Sequence, residues 1–596
     1  MSVLDRIERL RNAMEQQKID CYIIPTDDYH HSEYVGDYFK FREYITGFTG
    51  SAGTAVFTKD KAGLWTDGRY FIQAEAQLQG SGITLYKSGE PGVPTIEEFL
   101  KSELKEGDVL GFDGRTVTYA QGKRYCHIAD ENGASLQYRL DFAQNIWKER
   151  PEMSLEPVFS LKDKYTGERN GSKIKRIREK MKENGCNAHV LSSLDDIAWL
   201  LNIRGNDIAY CPLVLSYAIV YNNSVELFAD IRKFSDDIIN LLAENQVKIY
   251  PYEDIYRKVS EMTSEDKLLL DSSIMNYSLY QAISKETVIV DKQNPEILMK
   301  SVKNETQAEN LRKAHLKDAV AHTKFMYWLK KNIGRVEITE LSASARLEGL
   351  RAEQEHFLGP SFGPISAYGE HGAIVHYSAD EKSNVPLKEG KLFMTDTGGH
   401  YLEGSTDITR TVALGEVGNL EKEHFTLVAR AMLRLANTVF LYGCSGANLD
   451  CIAREVFWKE GLNFNHGTGH GVGYLLNIHE GPINFRWKEG ERPAPALEEN
   501  MVITDEPGIY IEGSHGIRLE NELLVRKTVK NEYGQFMNFE ILTYVPIDLD
   551  AILPEKMSTE EKEMLNHYHK QVYEKVSPYL SEEERIWLKE YTRAVK

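Results

Sequence analysis

The first feature of the sequence is a pattern of apolar and polar residues that occurs twice in the first 300 residues. The segments RIERLRNAMEQQKIDCYIIP, from Arg6, and KIKRIREKMKENGCNAHVLS, from Lys173, each carry apolar residues three or four positions apart, followed by a β-rich run. Ile7 and Met14 of the first segment correspond to Ile174 and Met181 of the second. This spacing predicts an amphipathic helix followed by a strand in each copy.

A second pair of similar segments extends the repeat. LWTDGRYF, from Leu64, resembles LFADIRKF, from Leu227, at almost the same offset. Between the copies, RPEMSLEPVFSLKDKYTGERNGSK is polar and carries prolines and glycines, as linkers do. We therefore expect two similar α/β domains, at residues 1–150 and 165–302.

The rest of the chain has a different pattern, which predicts an α/β (α+β) fold overall. A long helical pattern, NETQAENLRKAHLKDAVAHTKFMYWLKK, opens a third domain expected at residues 303–535. From Ser366 to Arg526 the chain is rich in strand-like runs and glycine turns, with one helical stretch near EHFTLVARAMLRLANTVF. A helical extension is expected at residues 536–596, where two helices would begin at capping boxes, Ser558 with Glu561 and Ser581 with Glu584.

Composition narrows the class of protein. The 596 residues carry a formal net charge of −19, which argues against nucleic acid and anionic membranes as partners. The sequence has no run of about 18 apolar residues, and its first residues read as an amphipathic helix rather than a signal peptide. The six cysteines include no CxxC pair and require no disulfide. A cytoplasmic protein is the expectation.

A further repeat lies in the third region. TDTGGHYLEGS, from Thr395, and TDEPGIYIEGS, from Thr504, are identical at seven of eleven positions. Each copy reads as a strand, a tight glycine turn and a strand, which is a β-hairpin. Each also offers one acid near the end of its first strand and another about a dozen residues later. The pairs are Asp396 with Asp407, and Glu506 or Asp505 with Glu520.

Four carboxylates brought together would repel one another strongly, and two divalent cations would cancel their charge. The segment FNHGTGHGVGYLLNIHEGP, from Phe464, can supply a nitrogen ligand. Its glycines disfavour a helical HxxxH zinc site and let the backbone approach the metals. His470 would complete the metal site. A phosphate-binding glycine loop is the alternative, but the pattern lacks the strand before it and the helix after it.

These motifs carry a resemblance to a known family. DTGGHYLEGSTDITRT, HGTGHGVG, DEPGIY and IRLEN resemble the successive signatures of the pita-bread metallopeptidases. That family includes methionine aminopeptidases, prolidases and Xaa-Pro aminopeptidases, and its fold also occurs in creatinase. The two repeated domains resemble creatinase-type N-terminal domains. Two such domains before a pita-bread catalytic domain is the arrangement of the long, three-domain Xaa-Pro aminopeptidases.

The resemblance implies a role for each candidate residue of the metal site. Asp396 would chelate one metal, and His470 with Glu506 would hold the other. Asp407 and Glu520 would bridge the two ions. The resemblance also favours Glu506 over Asp505, which spacing had left open, and makes Glu506 the general base.

Three further histidines and one arginine are implied on the substrate side. His376, in GAIVHY, matches the histidine that shuttles a proton and steadies the tetrahedral intermediate. His466 and His479 would line the scissile bond and the proline side of the pocket. Arg518 matches an arginine beside the last ligand, and only a supporting role is expected for it.

The activity implied is hydrolysis of the first peptide bond in peptides that begin Xaa-Pro, by a homodimer with two divalent metal ions per chain. Carboxylate-rich ligation with one imidazole favours Mn²⁺, and leaves Co²⁺ and Zn²⁺ open. A prolidase, cleaving only Xaa-Pro dipeptides, is the rival enzyme, but prolidases usually carry one N-terminal domain. A methionine aminopeptidase would not need 300 extra residues. A metal-free pita-bread binding module is the alternative from another class, and such proteins lose ligands that this chain retains.

Overall fold

Two six-stranded mixed sheets of identical topology build the N-terminal half. Numbered along the chain within each copy, the strands are arranged 4-3-2-1-5-6 in both sheets. In both, the central strand pairs antiparallel with strand 2 and parallel with strand 5. In chain order the strands are Cys21–Pro25, Thr54–Thr58, Ala62–Thr66, Thr84–Lys87, Val109–Phe112 and Ser135–Gln137, then Ala188–Leu191, Tyr217–Tyr221, Val225–Phe228, Val247–Tyr250, Lys267–Leu270 and Val288–Asp291. The predicted internal repeat is confirmed.

The helices of the two copies follow the predicted apolar spacing. The leading helices are Val3–Gln16 and Asn170–Glu183, and each buries three corresponding apolar residues, Ile7, Leu10 and Met14 in the first and Ile174, Ile177 and Met181 in the second. The other helices are Phe41–Thr46, Phe71–Leu78, Ile96–Glu103, Tyr119–Glu131 and Phe142–Ile146, then Leu194–Leu201, Asp236–Ala243, Asp254–Ser260 and Tyr277–Ala282. One apolar side of each leading helix therefore packs into the core of its copy.

The computed structural model describes residues 1–488, 490 and 493–596. They divide into two units, one of Met1–Ser160 with Glu168–Glu296 and one of Leu161–Gly167 with Ile297–Lys596. The domain boundaries expected from the sequence, at residues 150, 165, 302 and 535, stay predictions. Among the described residues, no helix is long and apolar enough to cross a membrane.

The second unit contains the predicted long helix, Glu305–Asn332. It is preceded along the chain by the short helices Asp163–Thr166 and Pro295–Ser301, and followed by Glu340–Ala352, Asn419–Ala436, Gly446–Trp458, Thr559–Val576 and Glu582–Tyr591. The prediction of one helical stretch between Ser366 and Arg526 was wrong, because Gly446–Trp458 is a second helix. The buried residues Leu449, Ala453 and Val456 of this helix, three or four positions apart, were the overlooked signal.

Small sheets in this unit carry the duplicated motif. Strands Ile365–Tyr368, Lys391–Thr397 and Ile408–Leu414 form one sheet, and Phe440–Leu441, Gly534–Ile541, Asn521–Asn531 and Val502–Asp505 form another. Short ladders join Phe357–Pro360, Gly399–Tyr401 and Gly404–Ser405, then Gly469–His470 with Asn484–Phe485, and Gly508–Ile511 with His515–Arg518.

The predicted hairpins form, but their turns lie elsewhere than predicted. Gly398 of the first copy and Pro507 of the second mark breaks where one strand ends and a new ladder begins. The turns themselves lie at the EGS end of each copy, where the ladders Gly399–Tyr401 with Gly404–Ser405 and Gly508–Ile511 with His515–Arg518 close. Both expected capping boxes open the two C-terminal helices.

The first C-terminal helix, Thr559–Val576, packs against the strands of the same unit. It buries Leu565 and Tyr568, and the Tyr568 hydroxyl accepts a hydrogen bond from Arg410 Nη2 at 2.7 Å. Arg410 belongs to the strand that follows Asp407. The C-terminal segment is thus part of the structure that supports the acid-bearing strands.

Candidate metal centre

We call the strands around the two copies of the duplicated motif the first arm (residues 391–414) and the second arm (residues 502–531). The four predicted acids lie at the ends of strands in these two arms. Asp396 lies near the end of the strand Lys391–Thr397, and Asp407 comes directly before the strand Ile408–Leu414. Glu506 comes directly after the strand Val502–Asp505. Glu520 lies between His515–Arg518 and Asn521–Asn531. Regular strands thus fix the backbone on which each carboxylate is carried.

Distances bring three of the predicted ligands into one group. Asp407, His470 and Glu520 each offer a ligand atom, and these atoms all lie within 4.8 Å of one another. His470 Nε2 lies 3.5 Å from Asp407 Oδ2 and 3.6 Å from Glu506 Oε1. Asp396 lies outside the 4.8 Å group, but its charge raises the pKa values of Asp407, Glu506 and Glu520.

The electrostatics of these acids suit bound cations. Burial, followed by the charges of Asp396 and Glu506, raises the pKa of Asp407 well above its ordinary value. Burial, followed by the charge of Asp407, does the same to the pKa of Glu520. Asp396 Oδ1 is buried and accepts no hydrogen bond from the described residues. Oxygen-rich sites with a single imidazole bind divalent cations such as Mn²⁺, so the residues present fit a pair of such ions.

Neighbouring groups fix Asp407 and Glu520. The Thr409 hydroxyl donates to Glu520 Oε2 at 2.7 Å. The backbone N–H of Asp407 donates to Glu522 Oε1 at 2.6 Å, and His315 Nε2 lies 3.1 Å from the other oxygen of Glu522. The sequence analysis missed Thr409, Glu522 and His315. The signal for Thr409 and Glu522 was a polar residue within a buried run of a strand.

The glycine loop forms no helix, as the sequence analysis predicted. A Cβ on Gly469 would lie 1.9 Å from the Thr504 carbonyl oxygen, so only glycine lets the loop approach the strand Val502–Asp505 this closely. The backbone N–H of His470 donates to Thr504 Oγ1 at 3.0 Å. His470 Nδ1 lies 2.9 Å from the Gly471 carbonyl oxygen, which it can reach only as an N–H donor. Its Nε2 atom is therefore the one presented to the acids.

His479 and the residue after it are held beside His470. The two imidazole rings lie edge to face with centroids 4.2 Å apart, and the charge of His479 offsets part of the rise that burial causes in the pKa of Glu506. Glu480 is buried and pairs with Lys303, which is also buried. Losing one partner of such a pair would leave an uncompensated buried charge. Lys303, another residue missed by the sequence analysis, thus anchors the end of the histidine loop.

His466 lies in a continuous chain of hydrogen bonds that starts at Asp396. Arg518 donates from Nη2 to Asp396 Oδ2 and from Nη1 to the Tyr510 hydroxyl, the latter at 2.7 Å. Tyr510 in turn lies 2.8 Å from His466 Nε2, while His466 Nδ1 lies 2.7 Å from the Gly467 carbonyl oxygen. Burial lowers the pKa of His466 to about 3. His466 is therefore neutral, with its proton on Nδ1.

His376 reaches the same region from a different segment. It lies in a turn after the short helix Gly369–Ala373, and its charge contributes to lowering the pKa of His466. The carbonyl oxygen of the preceding residue, Val375, lies 3.4 Å from Arg518 Nη2. The structure thus gathers all nine candidate residues of the sequence analysis around one centre.

Comparisons with known proteins agree with this architecture. Residues 6–136 and residues 149–307 each match a creatinase/prolidase N-terminal domain. Residues 309–527 match metallopeptidase family M24, and residues 535–595 match the C-terminal region of peptidase M24. Fold and centre together define a metallopeptidase of family M24 with two creatinase-type domains in front of its pita-bread catalytic domain.

Individual relatives show which group of M24 metallopeptidases this chain resembles. The Xaa-Pro aminopeptidase 1 of Dictyostelium discoideum is 36% identical over 594 residues, or 97% of this chain and 94% of that protein. An X-prolyl aminopeptidase of Caenorhabditis elegans, described as a cytosolic enzyme with a di-nuclear active site, matches with a TM-score of 0.94 and 33% identity over 100% of both chains. A Xaa-Pro dipeptidase of Bacillus anthracis matches with a TM-score of 0.51 and 25% identity, over 64% of this chain and 99% of that one. The chain belongs to the Xaa-Pro aminopeptidase family of M24 metallopeptidases.

Proposed function

We propose that this protein is a metal-dependent aminopeptidase that hydrolyses the first peptide bond of peptides with proline in the second position. The carrying observation is the full-length match to an X-prolyl aminopeptidase, against a match over only 64% of the chain for a Xaa-Pro dipeptidase. The part of the chain that the dipeptidase match leaves uncovered is larger than either N-terminal domain match, residues 6–136 or 149–307. A prolidase does not account for that part of the chain.

In this proposal two divalent cations are held by the acid cluster. Asp396 would hold one ion, His470 with Glu506 the other, and Asp407 with Glu520 would bridge them. The ions would make water a nucleophile at neutral pH and polarise the scissile carbonyl. We propose Mn²⁺ as the metal because four carboxylates outnumber the single imidazole, with Co²⁺ and Zn²⁺ as alternatives.

The chain's own groups would move and hold protons. Glu506 would be the general base, because burial raises the pKa of its carboxyl and thereby its basicity, and the carboxylate lies 3.6 Å from His470 Nε2 within the centre. His376 and His479 steady the oxygen of the tetrahedral intermediate and pass the proton to the leaving nitrogen. His466, held neutral by Tyr510 and Gly467, forms a fixed wall of the pocket rather than a proton donor.

Metal content separates these roles. His470→Ala, Asp407→Ala and Glu520→Ala should each lower bound metal well below two ions per chain, because each removes a ligand. His376→Ala and His479→Ala should retain the metal and lose most of kcat, by about 10²-fold or more. Metal analysis of the purified variants decides the matter. Equal metal loss in all five variants would contradict the division of roles.

Substrate length tests the activity itself. Proline makes the preceding amide tertiary, with no N–H to grip, so the site must recognise the ring by its shape. We expect kcat/KM for a matched tripeptide and pentapeptide to equal or exceed that for the Xaa-Pro dipeptide. Replacing the proline by alanine should lower kcat/KM by about 10-fold or more. Activity confined to the dipeptide would identify a prolidase, and binding without turnover would identify a metal-free binding module.

We propose that the protein is a homodimer located in the cytoplasm. The Caenorhabditis elegans relative is described as a cytosolic enzyme. Trp458 and Trp487 lie edge to face, with centroids 5.7 Å apart, and are 42% and 44% exposed. Exposed aromatic pairs of this kind are typical of protein interfaces. Trp458→Glu should shift the sedimentation coefficient to that of a monomer if this surface pairs two chains.

A further inference from the structure

The segment that carries His376 has to return to the metal centre without a sheet ladder of its own. The strand Ile365–Tyr368 pairs antiparallel with Lys391–Thr397, so that Ile365 faces Asp396 and Tyr368 faces Phe393. By Tyr368 the chain has therefore moved about 10 Å away from the acids. The return to His376 contains only local backbone hydrogen bonds, such as Ile374 N–H to the His371 carbonyl oxygen.

One buried carboxylate holds both ends of this return segment. Glu340 is fully buried at the first position of the helix Glu340–Ala352. Its Oε1 atom accepts from the backbone N–H of Tyr368 and from His371 Nδ1, and its Oε2 atom accepts from the Tyr377 hydroxyl, all at 2.8 Å. Tyr377 is the residue directly after His376. Because Glu340 binds both the backbone of Tyr368 and the hydroxyl of Tyr377, it fixes the positions at which the segment begins and ends.

The opposite side of the segment lies against a strand of the metal centre. A Cβ on Gly516 would lie 1.6 Å from the Gly372 carbonyl oxygen, so the two backbones are in direct contact. Gly516 belongs to the strand His515–Arg518, whose last residue donates to Asp396. This contact sets the distance between the segment and the strand. The position of the segment along the strand is set instead by the groups that bind Glu340.

We call Glu340 and its three donors, from Tyr368, His371 and Tyr377, the clamp, and the charges of these groups favour a fixed geometry. A carboxylate at a helix N-terminus is favoured by the helix dipole. The hydrogen bond to Glu340 raises the pKa of His371, which favours a charged partner for the buried acid. The His371 ring also stacks on Tyr377, with centroids 4.5 Å apart. Three donors from one short segment thus converge on one acid that belongs to another element.

We propose that Glu340 is a positioning residue that holds His376 against the substrate. The proposal rests on the proposed function, because it assigns to Glu340 an effect that acts only through His376. The hydrogen bonds that the Glu340 carboxylate accepts from the described residues come from Tyr368, His371 and Tyr377, and none comes from a proposed metal ligand or from Arg518. Misplacement of a catalytic group by about 1 Å can cost about 10²-fold in rate. Loss of the clamp should therefore lower kcat while KM and metal content stay nearly constant.

The test is a double-mutant cycle in the metal-loaded, full-length protein. Glu340→Gln keeps the volume but cannot accept from all three donors, and should lower kcat on an Xaa-Pro tripeptide by about 10-fold or more. In the His376→Ala background the same substitution should cause no further loss. Glu348→Gln, on the exposed side of the same helix, is the matched control and should leave kcat unchanged.

Each outcome decides for or against the clamp. An equal fold-loss in the presence and absence of His376, or an unchanged kcat in Glu340→Gln, would overturn the proposal. If Glu340→Gln does not fold, Tyr377→Phe removes one donor, and should lower kcat about threefold by the same His376-dependent route. An independent loss in that variant would also overturn it. A wild-type protein with no Xaa-Pro aminopeptidase activity would instead count against the proposed function.

Discussion

The two repeated arms share most of their sequence, yet they present different positions to the metal centre. In the first arm the centre faces Asp396, which follows the threonine of the motif. In the second arm the corresponding residue is Asp505, but Glu506 lies beside His470. Thr504 contacts both His470 and Glu506, so residues 504 and 506 share one face and Asp505 points to the other. A shift of one residue along a strand therefore exchanges the acid that lies beside His470.

The second arm is also the longer of the two. Its hairpin pairs Gly508–Ile511 with His515–Arg518, whereas the first pairs only Gly399–Tyr401 with Gly404–Ser405. The extra length carries Arg518 across to Asp396 of the first arm, and Tyr510 lies within hydrogen-bond distance of His466. The tyrosine of the first motif, Tyr401, is instead buried in the core. The first arm supplies acids, and the second supplies acids together with the groups that orient them.

The largest expected effect tests which acid of the second arm serves the centre. Glu506→Gln removes the proposed base and one metal contact, and should lower kcat/KM by about 10³-fold or more. Asp505→Asn is the matched control, since burial and the charges of Glu506 and Asp450 raise the pKa of Asp505 and favour its uncharged form. That variant should retain kcat/KM within about threefold. The reverse ranking in a steady-state assay would show that the arms are equivalent after all.

The sequence was sufficient to predict the two N-terminal domains and a cluster of acids with a histidine, whose roles as metal ligands stay predictions. Repeated apolar spacing identified the helices that bury Met14 and Met181, and repeated acids identified Asp407 and Glu520. Spacing alone did not distinguish Glu506 from Asp505, because two adjacent acids at the end of a strand differ only in the face to which they point. Long-range partners such as Lys303 and Glu340 could not be predicted. Their roles depend on contacts with residues that are distant in the chain.

A smaller effect concerns stability without metal. Folding raises the pKa values of Asp407 and Glu520 above those of the unfolded chain, so the folded state binds their protons more tightly. Their contribution to stability is therefore present below the unfolded carboxyl pKa of about 4, and is lost as pH rises through the raised folded values. Metal-free protein should therefore lose Tm as the pH rises above the unfolded carboxyl pKa of about 4.

Asp407→Asn removes one of the two carboxyl groups and so tests its pH-dependent contribution to stability. In the metal-free state it should melt above the wild type at high pH, and the difference in Tm should grow with pH. With Mn²⁺ the order should reverse, because only the wild type binds both ions and gains the linked stabilisation. Thermal unfolding of both proteins across the pH series, with and without metal, provides the measurement. A pH-independent difference would mean that repulsion among the acids does not limit the metal-free fold.

The smallest effect compares the glycines that close the two hairpins. Gly513, in the second turn, has φ +69°, and a Cβ there would meet no atom within 4 Å, so Gly513→Ala should cost only the left-handed backbone term of about 1 kcal/mol. Gly513→Asn should cost less, because asparagine tolerates that conformation. Gly404, in the first turn, has φ +133°, and its Cβ would lie 2.6 Å from Leu311 Cδ2. Gly404→Ala adds overpacking to backbone strain and should lower Tm further than Gly513→Ala does. Thermal melts of the three variants give the ranking, and equal losses at Gly404 and Gly513 would argue against the closer packing of the first arm.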